Sequence, residues 1–416
     1  MSKRLWGCLI VTLALAGEVS AAGFSIYEHG AAATATAGAF IARANDPTAI
    51  FYNAAGIAGQ KMSVALGTTL ITPKTEFNGD NPFPGVGVTE KMKDALYYPS
   101  HAYLVAPIGP VTVGFGVFSP FGLGTEWPDA FSGRASSTKS VIQTFYFNPV
   151  VAYRLGPVSV GAGVQAVYGT VELARIARTP VLTEFRDVAK LSLEGTSSLA
   201  YGFNAGVQYC PIKQVVVGAS YRSKAKCDFT GTAKFDSINA NYALVKGKLP
   251  TETDVESSIT FPAIMGVGVA VTPIPALTIE ANVVQMQWSV FDSLGITFTD
   301  PAYASLGETI PEEYETARSY RIGAEYRINR SLVARIGYLY DESPAPDASV
   351  STLLPDASRN SYMVGIGYTF GGATLDLSYM YLPFNDRSTN GQSRAGYNGL
   401  YKSSANLYGI TLTHRF

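Results

Sequence analysis

The stretch Val158-Ser159-Val160-Gly161-Ala162-Gly163-Val164-Gln165-Ala166 decides how the chain is to be read. Val and Ala hold every second position, and Ser, Gly and Gln hold those between. Successive side chains of a strand point to opposite faces, so one face is apolar and the other small or polar. That division is what a membrane-spanning barrel strand needs, with lipid on one side and a lumen on the other. A single such strand also fits a soluble sandwich, so the weight falls on repetition. Tyr408, Ile410 and Leu412 alternate in the same way with Gly409, Thr411 and Thr413, and similar runs recur from residue 61 onward.

Working outward, the runs are separated by two kinds of connection. Six are very short and built from turn residues: Pro107-Ile108-Gly109-Pro110, Leu155-Gly156-Pro157, Pro211-Ile212-Lys213, Pro273-Ile274-Pro275, Asn329-Arg330 and Gly371-Gly372. Seven are longer and polar, near 78–95, 123–138, 174–195, 231–253, 293–313, 342–358 and 385–400. Six short turns interleaved with seven long loops require fourteen strands, with both ends of the wall on the short-turn side. The expected architecture is an all-β, transmembrane antiparallel β-barrel spanning 61–416, with short periplasmic turns and long external loops. Fourteen strands enclose a lumen too wide for wall side chains to fill. Residues 22–60, small and turn-rich at Asn45-Asp46-Pro47 and Asn53-Ala54-Ala55-Gly56, are expected to form an N-terminal lumenal plug.

The first 21 residues read as an export signal. Lys3 and Arg4 precede the apolar stretch 5–17, and Val19-Ser20-Ala21 offers a small-residue cleavage site. The apolar stretch is too short to span a bilayer, and no later run approaches the roughly 18–20 residues a spanning helix needs. A membrane location therefore requires a closed barrel. Cys210, at a turn, and Cys227, well up the next strand, are too far apart along a hairpin to be bridged. No Cys/His cluster has metal-ligand spacing, so neither metal nor cofactor is expected. A net charge of −1 with 15% charged residues argues against nucleic acid.

Three stretches resemble the FadL/TodX outer-membrane transporters of long-chain fatty acids and other hydrophobic compounds. They are the mature start Ala22-Gly23-Phe24, the plug pattern from Ala44-Asn45-Asp46-Pro47 through Asn53-Ala54-Ala55-Gly56, and Val105-Ala106-Pro107-Ile108 followed by 118–127. The terminal Phe416 is similar to the closing aromatic read by the barrel-insertion machinery. Ala54 stands where the family usually has Pro, and His414 where it often has an aromatic or aliphatic residue. The resemblance implies ligand capture in an external groove between the third and fourth long loops, passage to a lumenal pocket, and sideways exit through a kink in the third strand. The chain would act as a monomer among outer-membrane lipid.

On that basis Asn53, Ala54 and Ala55 are the expected plug turn. Ser119, Pro120, Phe121 and Gly122 are the expected lateral-gate kink, because Pro120 cannot donate to a strand ladder and Gly122 marks a bend. The alternative is that the third strand simply ends near Ser119. Leu123, Trp127, Phe131, Leu173, Ile176, Leu182 and Phe185 are groove candidates, and Val181 lies among them. Arg134, Lys139, Arg175 and Arg178 are candidates to pair with a ligand carboxylate, although each taken singly reads more readily as a solvated loop cation. Aromatic or other hydrocarbons remain open as an alternative substrate class, and a general porin as an alternative function. An enzyme is disfavoured, because none of His29, His101 and His414 falls at the external rim, where a barrel hydrolase needs its base.

Overall fold

The computed structural model describes residues 23–181 and 184–416. The expected export signal at 1–21 and the groove candidate Leu182 lie outside the described residues. Twenty-two strand runs make up the sheet. Seven of the wall strands are interrupted and come in two runs, and Thr89–Lys91 only adds a rim segment to the first strand, so the wall has fourteen strands.

These are β1 (Ser63–Gly79), β2 (Ser100–Ile108), β3 (Val111–Phe118 and Gly122–Glu126), β4 (Lys139–Leu155) and β5 (Val158–Val181). Next come β6 (Glu184–Ser197 and Ala200–Ile212), β7 (Val215–Arg222 and Ala225–Ser237), β8 (Glu252–Phe261 and Ile264–Ile274) and β9 (Leu277–Met286 and Ser293–Phe298). The circuit ends with β10 (Glu308–Pro311 and Ala317–Arg327), β11 (Leu332–Asp341), β12 (Arg359–Phe370), β13 (Ala373–Pro383 and Arg387–Ser388) and β14 (Gly399–Arg415). Every pairing is antiparallel, and β14 closes onto β1 from Ser63↔Arg415 to Gly79↔Gly399. Closure pairs the first strand with the last, so neither is left as an open edge in lipid.

The alternation read from sequence maps onto the two faces. Tyr408, Ile410 and Leu412 are exposed on the outer surface, whereas Thr411 and Thr413 are buried inside. In β5, Val160 and Val164 face out, and Ser159 and Gln165 face in. Both Cys210 and Cys227 are free.

The long connection expected at 174–195 differs from expectation. Most of 174–195 is not a loop: β5 and β6 continue as a hairpin ladder from Leu173↔Leu193 to Val181↔Glu184. The stretch carries Arg175, Arg178, Glu184, Arg186, Asp187 and Lys190, and that charge density resembles a solvated loop. Opposite charges here sit across neighbouring strands, an arrangement that supports pairing.

Residues 23–60 pack inside the wall. They form two one-turn helices, α1 (Ala31–Thr34) and α2 (Ala49–Tyr52), and a 3-10 turn at Ala54–Ile57. Small residues on both sides let plug and wall approach closely. A side chain added at Gly161 would meet the Ala54 backbone at 2.5 Å, one at Gly218 the Ile41 carbonyl at 2.5 Å, and one at Gly323 the Thr36 carbonyl at 2.4 Å. These wall glycines are needed for backbone contact with the plug.

Buried charge also ties plug to wall. Arg43 of the plug pairs with Glu325 of β10 at 2.8 Å, and Arg335 of β11 pairs with the same carboxylate at 2.7 Å. Glu280 of β9 accepts hydrogen bonds from the Ala42 and Arg43 amides at 2.8 and 2.9 Å.

Candidate functional site

The third strand is broken where Pro120 stands. Phe118 pairs with Tyr146, and Gly122 pairs with Gln143. Four steps along β3 thus match three along β4, leaving one residue of β3 without a counterpart. This is a bulge, which bends a strand and re-aims its side chains. On the other side, the β2–β3 ladder ends at Ala102↔Val117, and beyond it His101 and Ser100 keep only their ladder to β1.

Other groups satisfy the backbone freed by the break. The Ile26 amide donates to the Pro120 carbonyl at 2.7 Å, and the Gly122 amide donates to the Phe24 carbonyl at 2.9 Å. The Thr144 hydroxyl of β4 donates to the Phe121 carbonyl at 2.7 Å and accepts from its amide at 3.2 Å. The start of the plug therefore stands in for a missing strand partner. Phe24 is fixed by an aromatic cluster, with ring centroids 4.6 Å from Trp288, 5.4 Å from Phe291 and 6.4 Å from Phe121.

A cavity of about 950 Å3 opens beside this break. On the lumen side it is lined by plug residues Phe24, Ile26 and Glu28 and by wall residues Met380 and Leu407. It is also lined by Leu66, Leu96, Tyr98 and Phe145, all exposed on the outer face. One cavity thus touches both faces of the wall at the gap between β2 and β3.

The polar end of the cavity lies between the plug and β10 to β12. Arg359 of β12 holds Asp341 of β11 through two hydrogen bonds at 2.9 and 3.1 Å. Arg321 of β10 donates to the Ser319 hydroxyl at 2.9 Å and lies 3.6 Å from the Tyr27 ring centroid. Asp356, in the loop before β12, accepts from the Gly23 amide at 3.2 Å and the Ser343 hydroxyl at 2.6 Å. Burial pushes the Asp356 carboxyl up to about 6 and raises that of Glu28 above the usual carboxylate range.

The expected kink residues Ser119, Phe121 and Gly122 line this cavity, with Pro120 between them. Leu123 lines it too, and with Leu173 it lines a second, smaller cavity of about 50 Å3 further up the barrel. The remaining groove candidates among the described residues do not line either cavity. Trp127 and Phe131 are buried against each other, ring centroids 5.1 Å apart, and the Trp127 indole donates to the Thr352 carbonyl at 2.9 Å. They hold the external loops down rather than line an open groove. Ile176 is buried, and Phe185 is exposed beside the hairpin tip.

All four candidate cations already have carboxylate partners. Arg134 and Arg178 share Asp187 at 2.7 and 3.0 Å, Lys139 pairs with Glu172 at 2.5 Å, and Arg175 pairs with Glu308 at 2.8 Å. None of them lines the large cavity. The cations that do face it from the lumen, Arg321 and Arg359, were missed by sequence reasoning. Strand parity was the available signal for Arg321, since it shares a face with Ser319 and Gly323 while Tyr320 and Ile322 point outward.

Asn53, at the plug turn, is a pin. Its amide group donates to the Ile41 carbonyl at 2.8 Å and to the Val207 carbonyl of β6 at 3.1 Å, and its side-chain oxygen accepts from the Ala55 amide at 3.1 Å. Ala54 opens the 3-10 turn that Asn53 caps, the helical position at which Pro is also tolerated. His29 and His101 stack edge to face inside the lumen with ring centroids 6.4 Å apart, away from any external rim.

Residues 12–416 match the family described as outer membrane protein transport protein (OMPP1/FadL/TodX). The long-chain fatty acid transport protein of Escherichia coli O6:H1 is 25% identical over 381 residues, covering 84% of each chain. Outer membrane protein P1 of Haemophilus influenzae is 27% identical, covering 76% of this chain and 74% of its own. Among solved structures, a Pseudomonas aeruginosa FadL homologue superposes with a TM-score of 0.83 at 19% identity, over 95% of this chain and 100% of that one. The Ralstonia pickettii toluene transporter TbuX gives 0.71 at 19% identity, over 93% and 98%. The structural likenesses show the fold.

Proposed function

We propose that this chain, which belongs to the OMPP1/FadL/TodX family of outer membrane transport proteins, takes up molecules with a long apolar chain and releases them sideways into the bilayer through the break in β3. The observation that carries this reading is the single cavity lined both by plug residues and by the outer surface of the wall.

Energetics favour such a route. Passing a chain of about fifteen methylenes through water costs on the order of 12 kcal/mol, at about 0.8 for each. A gap that leads from an apolar cavity to lipid avoids that exposure. The plug start is part of the gate, because Phe24 and Ile26 bond the backbone of the break. A ligand entering beside Phe24 competes with those contacts, and their loss frees the plug to move. Leu123 and Leu173 stand on the path from the external loops. Capture among those loops follows from the family resemblance and is retained as part of the proposal, with Phe185 as its exposed apolar element.

Cavity size speaks to the substrate. About 950 Å3 lies near the top of the roughly 300–1,000 Å3 that ligand pockets occupy. A single aromatic ring would leave most of it without contacts, and unfilled space forfeits dispersion energy. A chain of fatty-acid length fills it better. In cells lacking their own transporter, expression of this protein should restore uptake of labelled oleate or oleyl alcohol and leave toluene uptake at the empty-vector level. Toluene uptake without either long-chain probe would sink the long-chain reading in favour of hydrocarbons.

A further inference from the structure

We infer that, among long-chain molecules, this cavity prefers those whose headgroup is uncharged and donates a hydrogen bond, an alcohol or an amide, over those ending in an ionised carboxylate. This rests on the long-chain reading above and concerns which head the chain carries.

The case is a charge account of the cavity's polar end. Two cations face three carboxyls there: Arg321 and Arg359 against Glu28, Asp341 and Asp356. Only Arg359 is paired with a carboxylate, and Arg321 is engaged by neutral groups. Arg359 spends two donors on Asp341, and one oxygen of Asp341 still has no hydrogen-bond donor among the described residues. Arg321 lies on the Tyr27 ring and donates to Ser319, and one of its terminal nitrogens abuts Gly38. Lys74 also lines the cavity, but as an exposed residue of β1 far up the wall. The external cations that could have met a carboxylate are each paired, as described above.

An ionised ligand head would therefore bring a further negative charge to an end already short of positive charge. Burying an uncompensated charge costs several kcal/mol, whereas a hydroxyl or amide needs only a hydrogen-bond partner. Partners of the right kind are present, because an excess of carboxylate oxygens is an excess of acceptors. Glu28 is the most available of them, being half-buried and, among the described residues, bonded to local backbone amides alone. Its raised pKa points the same way, since burial disfavours negative charge there even with Arg359 and Arg321 nearby.

The test uses the full chain in lipid nanodiscs at pH 8 and low salt, with oleyl alcohol, oleamide and oleate competing against a tail-labelled oleyl alcohol. The alcohol and the amide should bind about tenfold or more tighter than oleate. Glu28→Gln, which removes one negative charge at constant shape but keeps an acceptor oxygen, should tighten oleate severalfold relative to oleyl alcohol. Asp356→Asn serves as a second variant should the first disturb the plug, and heat-modifiable gel mobility verifies the fold of each. Oleate binding as tightly as the alcohol, or no change for oleate in either folded variant, overturns the headgroup assignment and leaves the long-chain reading standing. Failure of all three probes to bind takes the long-chain reading down, and the headgroup assignment with it.

Discussion

Deleting Pro120 is expected to reduce uptake of a long-chain substrate to the level of cells without the protein, while ligand binding by the purified barrel persists. The expectation comes from register. Between Phe118↔Tyr146 and Gly122↔Gln143, β3 holds one residue more than β4. Removing one residue restores a one-for-one ladder. It also restores parity, since Phe121 would then oppose the buried Thr144 and Gly122 the outward Gln143. A continuous β3 would pair along β2 and close the gap, leaving an apolar tail no dry path to lipid. Substituting Pro120→Thr together with Gly122→Val tests the same idea differently. It restores a ladder donor and adds a side chain that would meet the Ile26 side chain, 2.7 Å from an added Cβ. Normal uptake through a barrel whose closed β3 has been verified would mean that substrate leaves by another route.

Arg335→Ala is expected to destabilise the barrel by about 3–5 kcal/mol, the usual result of stripping one partner from a buried ionic cluster. Arg335 bonds Glu325 at 2.7 Å and Asp376 at 2.6 Å, and all three side chains are largely shielded from solvent. It reaches Asp376, two strands away, because Gly367 of the intervening β12 has no side chain; a Cβ there would lie 2.8 Å from the guanidinium and 2.3 Å from the carboxylate. Without Arg335, Asp376 loses its only ion pair among the described residues, and Glu325 keeps only Arg43 of the plug. The temperature of the heat-modifiable gel shift should fall clearly for Arg335→Ala. Pairing that change with Asp376→Asn should recover part of the loss, since the orphaned charge goes with it. An unchanged transition in the single variant would show that the cluster carries no net stability.

These two predictions mark what sequence could and could not show. Strand number was legible because turn chemistry is local: Pro107-Ile108-Gly109-Pro110 and Gly371-Gly372 mark reversals whatever lies around them. Pro120 likewise announced a break in β3. The unmatched residue behind that break was not legible, because it depends on which residues of β4 stand opposite. Arg134, Lys139, Arg175 and Arg178 were visible as cations, but their roles were decided by partners across the fold, three of them 33 to 133 residues away in sequence. Arg321 could have been assigned to the lumen by parity alone. Its place at the polar end of the cavity depends on closure, which sets β10 to β12 around the same lumen as the broken β3.

Lateral release is tested most directly by locating the ligand on its way out. A long-chain alcohol with a photoreactive group at the tail end, loaded in nanodiscs and irradiated, reports which surface the tail reaches. The account predicts adducts at Leu66, Leu96, Tyr98 or Phe145, which line the cavity and are exposed on the outer wall, and the loss of those adducts when Pro120 is deleted. Adducts confined to the short-turn end, around Ile212 or Ile328, would place the exit at the periplasmic mouth and contradict it.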